Sequence, residues 1–322
     1  MKIILALAST LLALPLAGQV AYTTPSGYVK SDLVVGFNPI GINLHGQILV
    51  SGIIDSESGA EITDAGVDFA AALTDANATY LFEVTDGAQN GSVSVIDSAV
   101  AVTANTVTLE GAGVTAGAVS YTIRKAKTLN EVFGVGADAT LQGSFDAVDA
   151  DVVWVPNGAG SYSQYFYSSV NSEFISTGSP FSAPPKPVSF FYPDGALVQV
   201  KATAKTITIF GEVKTTGTIL SASTGFNLVS VPSPVGETLD ELSLQTALTT
   251  SFDSNEADVV WIPDGLGDYD QYFVHSSGVW RSTGSPFSGN VGTTPVTGAI
   301  LIQRKGASTA AFGALPTFFS TL

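Results

Sequence analysis

The chain has no cysteine, and its only methionine is Met1. Disulfides, thiolate metal sites and thiol catalysis are therefore excluded, and beyond Met1 there is no sulfur to oxidise. Charged residues make up 12% of the 322 positions, against about a quarter in ordinary soluble domains. Lys and Arg number 12 against 28 Asp and Glu, a formal net charge of −16. Such a deficit of cations excludes nucleic acid and anionic membranes as partners, because both are met by clustered Lys and Arg. Histidine occurs only at positions 45 and 275, so a three-histidine metal site is impossible. What is abundant is apolar: 45% of residues are hydrophobic, enough for a folded core.

Met1 and Lys2 precede an apolar run from Ile3 to Leu16, followed by the small residues Ala17 and Gly18. This reads as a signal peptide over residues 1–21, cleaved between Ala17 and Tyr22. The run is short of the roughly 20 residues that span a bilayer, and no later segment is longer. Position 19 is Gln, so a lipid-anchoring cysteine is absent. The expected location is secreted or cell-surface, with no transmembrane segment.

An internal repeat organises the rest. Residues 150–166, ADVVWVPNGAGSYSQYF, recur as 257–273, ADVVWIPDGLGDYDQYF, and differ only at positions 155, 157, 159, 161 and 163 of the first copy. The segment Ser176–Ser182, STGSPFS, is identical to Ser282–Ser288, and Gly36-Phe37-Asn38 matches Gly225-Phe226-Asn227. Differences at every second residue have the period of an extended chain. With Pro and Gly between the halves, each block predicts a hairpin, Asp151–Val155 and Tyr162–Tyr167 in the first copy. Trp154 and Trp261, with Tyr162 and Tyr269, lie on the unchanging face and are expected to be buried core anchors, the alternative being a platform for a ligand.

In the second copy the Gly-Phe-Asn triplet closely precedes Thr238-Leu239, whereas in the first it lies far ahead of the corresponding Thr128-Leu129. A β-rich insertion therefore occupies about 44–126, with strand-like runs at Ala78–Val84, Ser92–Ile96 and Ala99–Leu109. Helical periodicity is confined to Thr128–Phe133 and Thr238–Leu248, each opened by Thr with Glu three residues on. The expected fold is mainly β: two related sandwich- or barrel-like modules, 22–220 and 221–322, with short helices and the insertion in the first.

The segments Thr23–Val29 (TTPSGYV), Tyr80–Ile96, Tyr121–Gly134 (YTIRKAKTLNEVFG) and Gly298–Lys305 (GAILIQRK), with the duplicated aromatic hairpin, resemble a family of secreted, paralogous bacterial proteins. That resemblance implies export and a repeated β architecture, and it brings no functional residues with it.

Candidate chemistry is sparse. No G-x-S-x-G elbow or P-loop is present, and His275 precedes Ser276 and Ser277 on a strand whose neighbours face opposite ways. Glu131 and Glu241 read as helix caps rather than as a glycosidase pair. Asp264, Asp268 and Asp270 crowd the second hairpin loop and are the candidate Ca²⁺ ligands, the alternative being a solvated acidic loop. The first copy has Asn157, Ser161 and Ser163 there, so the hairpin itself needs no cation. Trp280 is the candidate for stacking on a glycan, although Phe174 in the first copy also fits a packing position. The leading expectation is a non-catalytic structural or interaction protein of the bacterial envelope or extracellular matrix, whose partners are its own copies or other envelope proteins. The alternative is a carbohydrate-binding exoprotein, and the third a carboxylate hydrolase. Apart from the possible Ca²⁺, no cofactor is expected.

Overall fold

The computed structural model describes residues 25–314 except 112, 115–117, 159–160, 183, 185 and 307–309. The expected signal peptide lies outside the described residues. The chain is mainly β, and the sheets are antiparallel. Strands β1 (Ser26–Leu33) and β2 (Gly36–Ile40) come first. Seven more fall in the expected insertion: β3 (Ile48–Ile53), β4 (Ser56–Ser58), β5 (Glu61–Thr63), β6 (Tyr80–Val84), β7 (Val93–Val95), β8 (Thr106–Thr108) and β9 (Ser120–Lys125). They pair only with one another, in the orders β3-β9-β6-β7 and β4-β5-β8. A core of their own, including Ile54, Ile62, Phe69, Phe82, Tyr121 and Ile123, joins them.

After the insertion come β10 (Val152–Pro156), β11 (Tyr162–Ser168), β12 (Glu173–Ser176), β13 (Ala196–Val200) and β14 (Lys205–Glu212). The five-stranded sheet β12-β11-β10-β13-β2 packs on the two-stranded ribbon β1-β14. Residues alternate: Val153, Val155, Val198 and Ile40 face inward onto Ile207 and Ile209 of the ribbon. The second module has β15 (Thr218–Ala222), β16 (Gly225–Ser230), β17 (Glu237–Thr238), β18 (Val259–Pro263), β19 (Tyr269–Val274), β20 (Trp280–Ser282), β21 (Pro295–Val296), β22 (Ala299–Arg304) and β23 (Ala310–Ala314). Its sheet β20-β19-β18-β22-β16 and its ribbon β15-β23 follow the same order, strand for strand. The architecture is sandwich-like, and no sheet among the described residues closes into a barrel. Strand β15 runs across the expected boundary at 220/221 and pairs with β23, so it belongs to the second module.

The two capping signals end differently. Thr128 and Glu131 form the reciprocal box and open a helix, α1 (Leu129–Phe133). Thr238 and Glu241 make the same hydrogen bonds, at 2.8 and 3.3 Å, but no α-helix follows. Ser243 adopts the left-handed conformation at φ 55°, and only a single 3₁₀ turn forms at Leu244–Thr246. A box satisfies the first amides of a helix but cannot carry it past a left-handed residue.

Several repeated residues find their reason in the backbone. Asp151 and Asp258 are fully buried, and each accepts two backbone amides, from Gln142 and Lys201 and from Thr249 and Lys305. Asn38 and Asn227 each bridge the turn between ribbon and sheet, bonding to Val34 and Gly36 and to Ser223 and Gly225.

Candidate functional site

Strand alternation decides what the hairpin tryptophans do. Val153 and Val155 fill the inner face of β10, so Trp154 must point the other way, onto the outer face. There it lies edge-on between Phe37, 5.7 Å away, and Tyr162, 6.3 Å away. Trp261 lies in the same manner between Phe226 and Tyr269, at 5.8 and 6.2 Å. Both tryptophans are half-buried, which corrects the expectation of core anchors. Each module thus carries a three-ring stripe across its outer sheet face, and Phe37 and Phe226, at its end, are exposed.

The modules meet through β2 and β22. Ser230 of the second module donates its amide to the Pro193 carbonyl of the first, at 2.9 Å. At Gly41 a side chain is impossible without displacement, because a Cβ would collide with the Gly298 carbonyl. This packing leaves two grooves related by exchanging the modules. In the first, of about 350 Å³, the tip of the first hairpin at Pro156, Ser161 and Tyr162 faces Ser221, Ser223 and Phe226 of the second module. In the other, of about 400 Å³, Pro263, Gly265 and Asp268 of the second hairpin face Phe37, Asn38 and Pro39 of the first.

The grooves differ in charge. Asp194 lies in the first, where burial pushes its pKa up to about 6. The matching residue in the other groove is Thr297, accompanied by Lys30, Asp32 and Asp268. Tyr162 is raised as well, by burial and then by the Asp194 charge.

A second polar cluster ties the insertion to the modules. Arg124 on β9 pairs with Glu83 on β6 at 2.8 Å, both almost fully enclosed, and donates to the Gly46 carbonyl at 2.9 Å. Glu212 of β14 stands 3.9 Å from the same guanidinium. Burial, reinforced by Arg124, holds His45 well below its usual pKa, hence neutral. Burial likewise brings Lys214 down to about 8, and its ammonium donates to the Thr216 and Gly217 carbonyls. The cluster is enclosed by protein, as a structural junction is.

The residues singled out from sequence fare unequally. Trp280 is 0% exposed within the second module's core, which corrects its candidacy for glycan stacking: neither ring face is open. The Asp264 carboxylate accepts the amides of Leu266 and Asp268, at 2.7 and 3.0 Å, and that of Asp268 accepts the Tyr269 amide. Asp270 lies on β19, beyond the loop. No group of three or more His, Asp or Glu among the described residues is arranged to hold a metal ion, so the proposed Ca²⁺ ligands are not gathered into a site. His275 bonds to Ser277 within its own turn and lies 5.1 Å from Phe252.

Two features escaped the sequence reading. One is Asp194, which no repeat marks. The other is a pair of exposed phenylalanines in each module: Phe145 and Phe181, and Phe252 and Phe287, each pair with rings 6.0 Å apart. Their signal was present, since Phe181 and Phe287 sit in the identical STGSPFS segments among Ser and Gly, a setting that does not bury a ring. No protein-family model, curated protein or solved structure matches the chain.

Proposed function

We propose that the chain is an exported, non-catalytic interaction protein of the bacterial cell surface or extracellular matrix, built by duplication of one β module and joined to other copies of itself. The observation that carries this reading is the pair of phenylalanines repeated in both modules. Phe181 and Phe287 are 77% and 81% exposed, and Phe145 and Phe252 are 59% and 63% exposed. A lone exposed apolar residue needs no explanation, but the same two-ring patch kept at equivalent places in both modules does. Two equivalent patches on one chain permit each molecule to hold two others, which gives open assembly rather than a closed dimer. Export is supported by the apolar leader-like start and by the lack of sulfur beyond Met1.

Sedimentation velocity of the chain from Tyr22 onward tests the assembly. Concentration-dependent oligomers are expected, with the double variant Phe181→Ser, Phe287→Ser sedimenting as a monomer. A wild-type chain that stays monomeric at all accessible concentrations, or a variant that assembles equally well, overturns the reading. A second reading, ligand binding without assembly, is favoured by the two aromatic grooves between the modules.

A further inference from the structure

The first inter-module groove combines features that no other described cavity shares. Asp194 contributes a carboxylate that forms no side-chain hydrogen bond or ion pair among the described residues. Beside it stand three aromatic rings, Tyr162 from the first hairpin, Phe191 from the segment before β13 and Phe226 from β16 of the other module. Ser221 and Ser223 line the opposite wall. Among the described residues, no Lys or Arg lines the groove, and Tyr162 is the only other titratable side chain there. A carboxylate left without a counter-charge, walled by aromatic rings, is complementary to a cation that carries apolar groups: the acid supplies the charge and the ring faces the rest. A metal ion would find one carboxylate and no further anionic ligand, which is a poor donor set. The surplus of 28 acids over 12 bases adds a field that draws cations toward the chain.

We infer that this groove is a binding site for an organic ammonium ion, with Asp194 as the counter-ion and Tyr162, Phe191 and Phe226 as its aromatic wall. The site belongs to this groove alone, because Thr297 replaces Asp194 in the other. It stands apart from the phenylalanine patches, so failure of either proposal leaves the other intact. Binding is linked to protonation. Burial holds the Asp194 pKa near 6 in the free protein, and a bound cation must lower it, so affinity falls as pH drops through 6.

Choline is a suitable probe, with 3,3-dimethylbutan-1-ol as its uncharged counterpart of the same shape and N-acetylglucosamine as a neutral sugar. Titration calorimetry on the full exported chain should show saturable choline binding at pH 7.5, at least tenfold tighter than either neutral compound. Asp194→Asn should weaken choline binding at least tenfold and abolish its pH dependence, whereas Asp268→Asn, in the companion groove, should leave it unchanged. Retained melting behaviour of both variants shows that the fold persists. Choline and its neutral counterpart binding equally, Asp194→Asn binding as well as wild type, or no saturable choline binding at millimolar concentrations would each overturn the site. Preferential binding of N-acetylglucosamine would do so too, in favour of a neutral saccharide.

Discussion

Glu237 sits at the start of β17 with 7% of its surface exposed, and neither carboxylate oxygen has a hydrogen-bond partner among the described residues. Burial, and after it the neighbouring Glu241 charge, pushes its pKa up from 4.5 to about 7. An acid raised in the folded state costs nothing while it is protonated both folded and unfolded, below about pH 4.5. Its cost then grows as pH rises toward 7 and is constant above. That difference corresponds to about 3 kcal/mol against the ionised form, and about 2 kcal/mol once water penetration at the module surface is allowed for. Glu237→Gln keeps the shape and removes the charge, so it should stabilise the protein by about 2 kcal/mol at pH 8 and by almost nothing at pH 4. Urea unfolding followed by tryptophan fluorescence, at unit steps from pH 4 to pH 8 for both proteins, measures this. The readout is the difference between them, because titration of the acidic surplus moves both curves together. A difference independent of pH, or a variant less stable than wild type at pH 8, would refute the reasoning.

The tryptophans should separate by depth in the same assay: Trp280→Ala should cost about 4 kcal/mol, while Trp154→Ala and Trp261→Ala, each open on one side, should cost about 1–2 kcal/mol. Equal losses at all three would show the outer-face rings to be as enclosed as the core. Arg124→Met leaves Glu83 charged and enclosed and should cost about 3–5 kcal/mol, much of it recovered by adding Glu83→Met; an additive double variant would argue against their pairing. Gly41→Ala forces a methyl group against the Gly298 carbonyl and should lower the melting temperature by several degrees, whereas Gly27→Ala, with open space around it, should leave it unchanged. Equal melting of the two glycine variants would show that the modules are not packed this closely.

Much of the frame was legible because the duplication acts as its own control. The hairpins, the buried Asp151 and Asp258, and the turn-bridging Asn38 and Asn227 all lie in segments held constant between copies, and all do backbone work that both modules need. The mainly β class followed from β-branched runs broken by Gly and Pro. What could not be read was which side of a strand is inside. A period of two divides β10 into Val153 and Val155 against Trp154, and both sets are apolar, so only the ribbon β1-β14 lying on the valine side settles the matter. The missing second helix depends on one left-handed residue, Ser243, which composition does not announce. Asp194 becomes notable only when β15 and β16 of the second module are laid against it, a long-range packing event with no local signature.

The insertion has a kinetic consequence. Strand β2 pairs with β13, Gly36 opposite Val200, and β1 pairs with β14, Ser26 opposite Glu212. The first two strands therefore wait for nearly the whole module to be available before they find partners, and such distant closures slow folding. Yet strands β3 to β9 of the insertion pair only with one another, and β3 and β9, the first and last of them, lie side by side with Ile48 opposite Arg124. Once it has folded, its two ends are held a strand's width apart, and the long loop from β2 to β10 is reduced to its short flanks. The inserted unit so acts as a clip that shortens the search for the rest of the sheet. Deleting 47–125 and joining the ends should leave the folding rate nearly unchanged, whereas unfolding the insertion in place, by Phe82→Ala with Ile123→Ala, should slow closure of the first module.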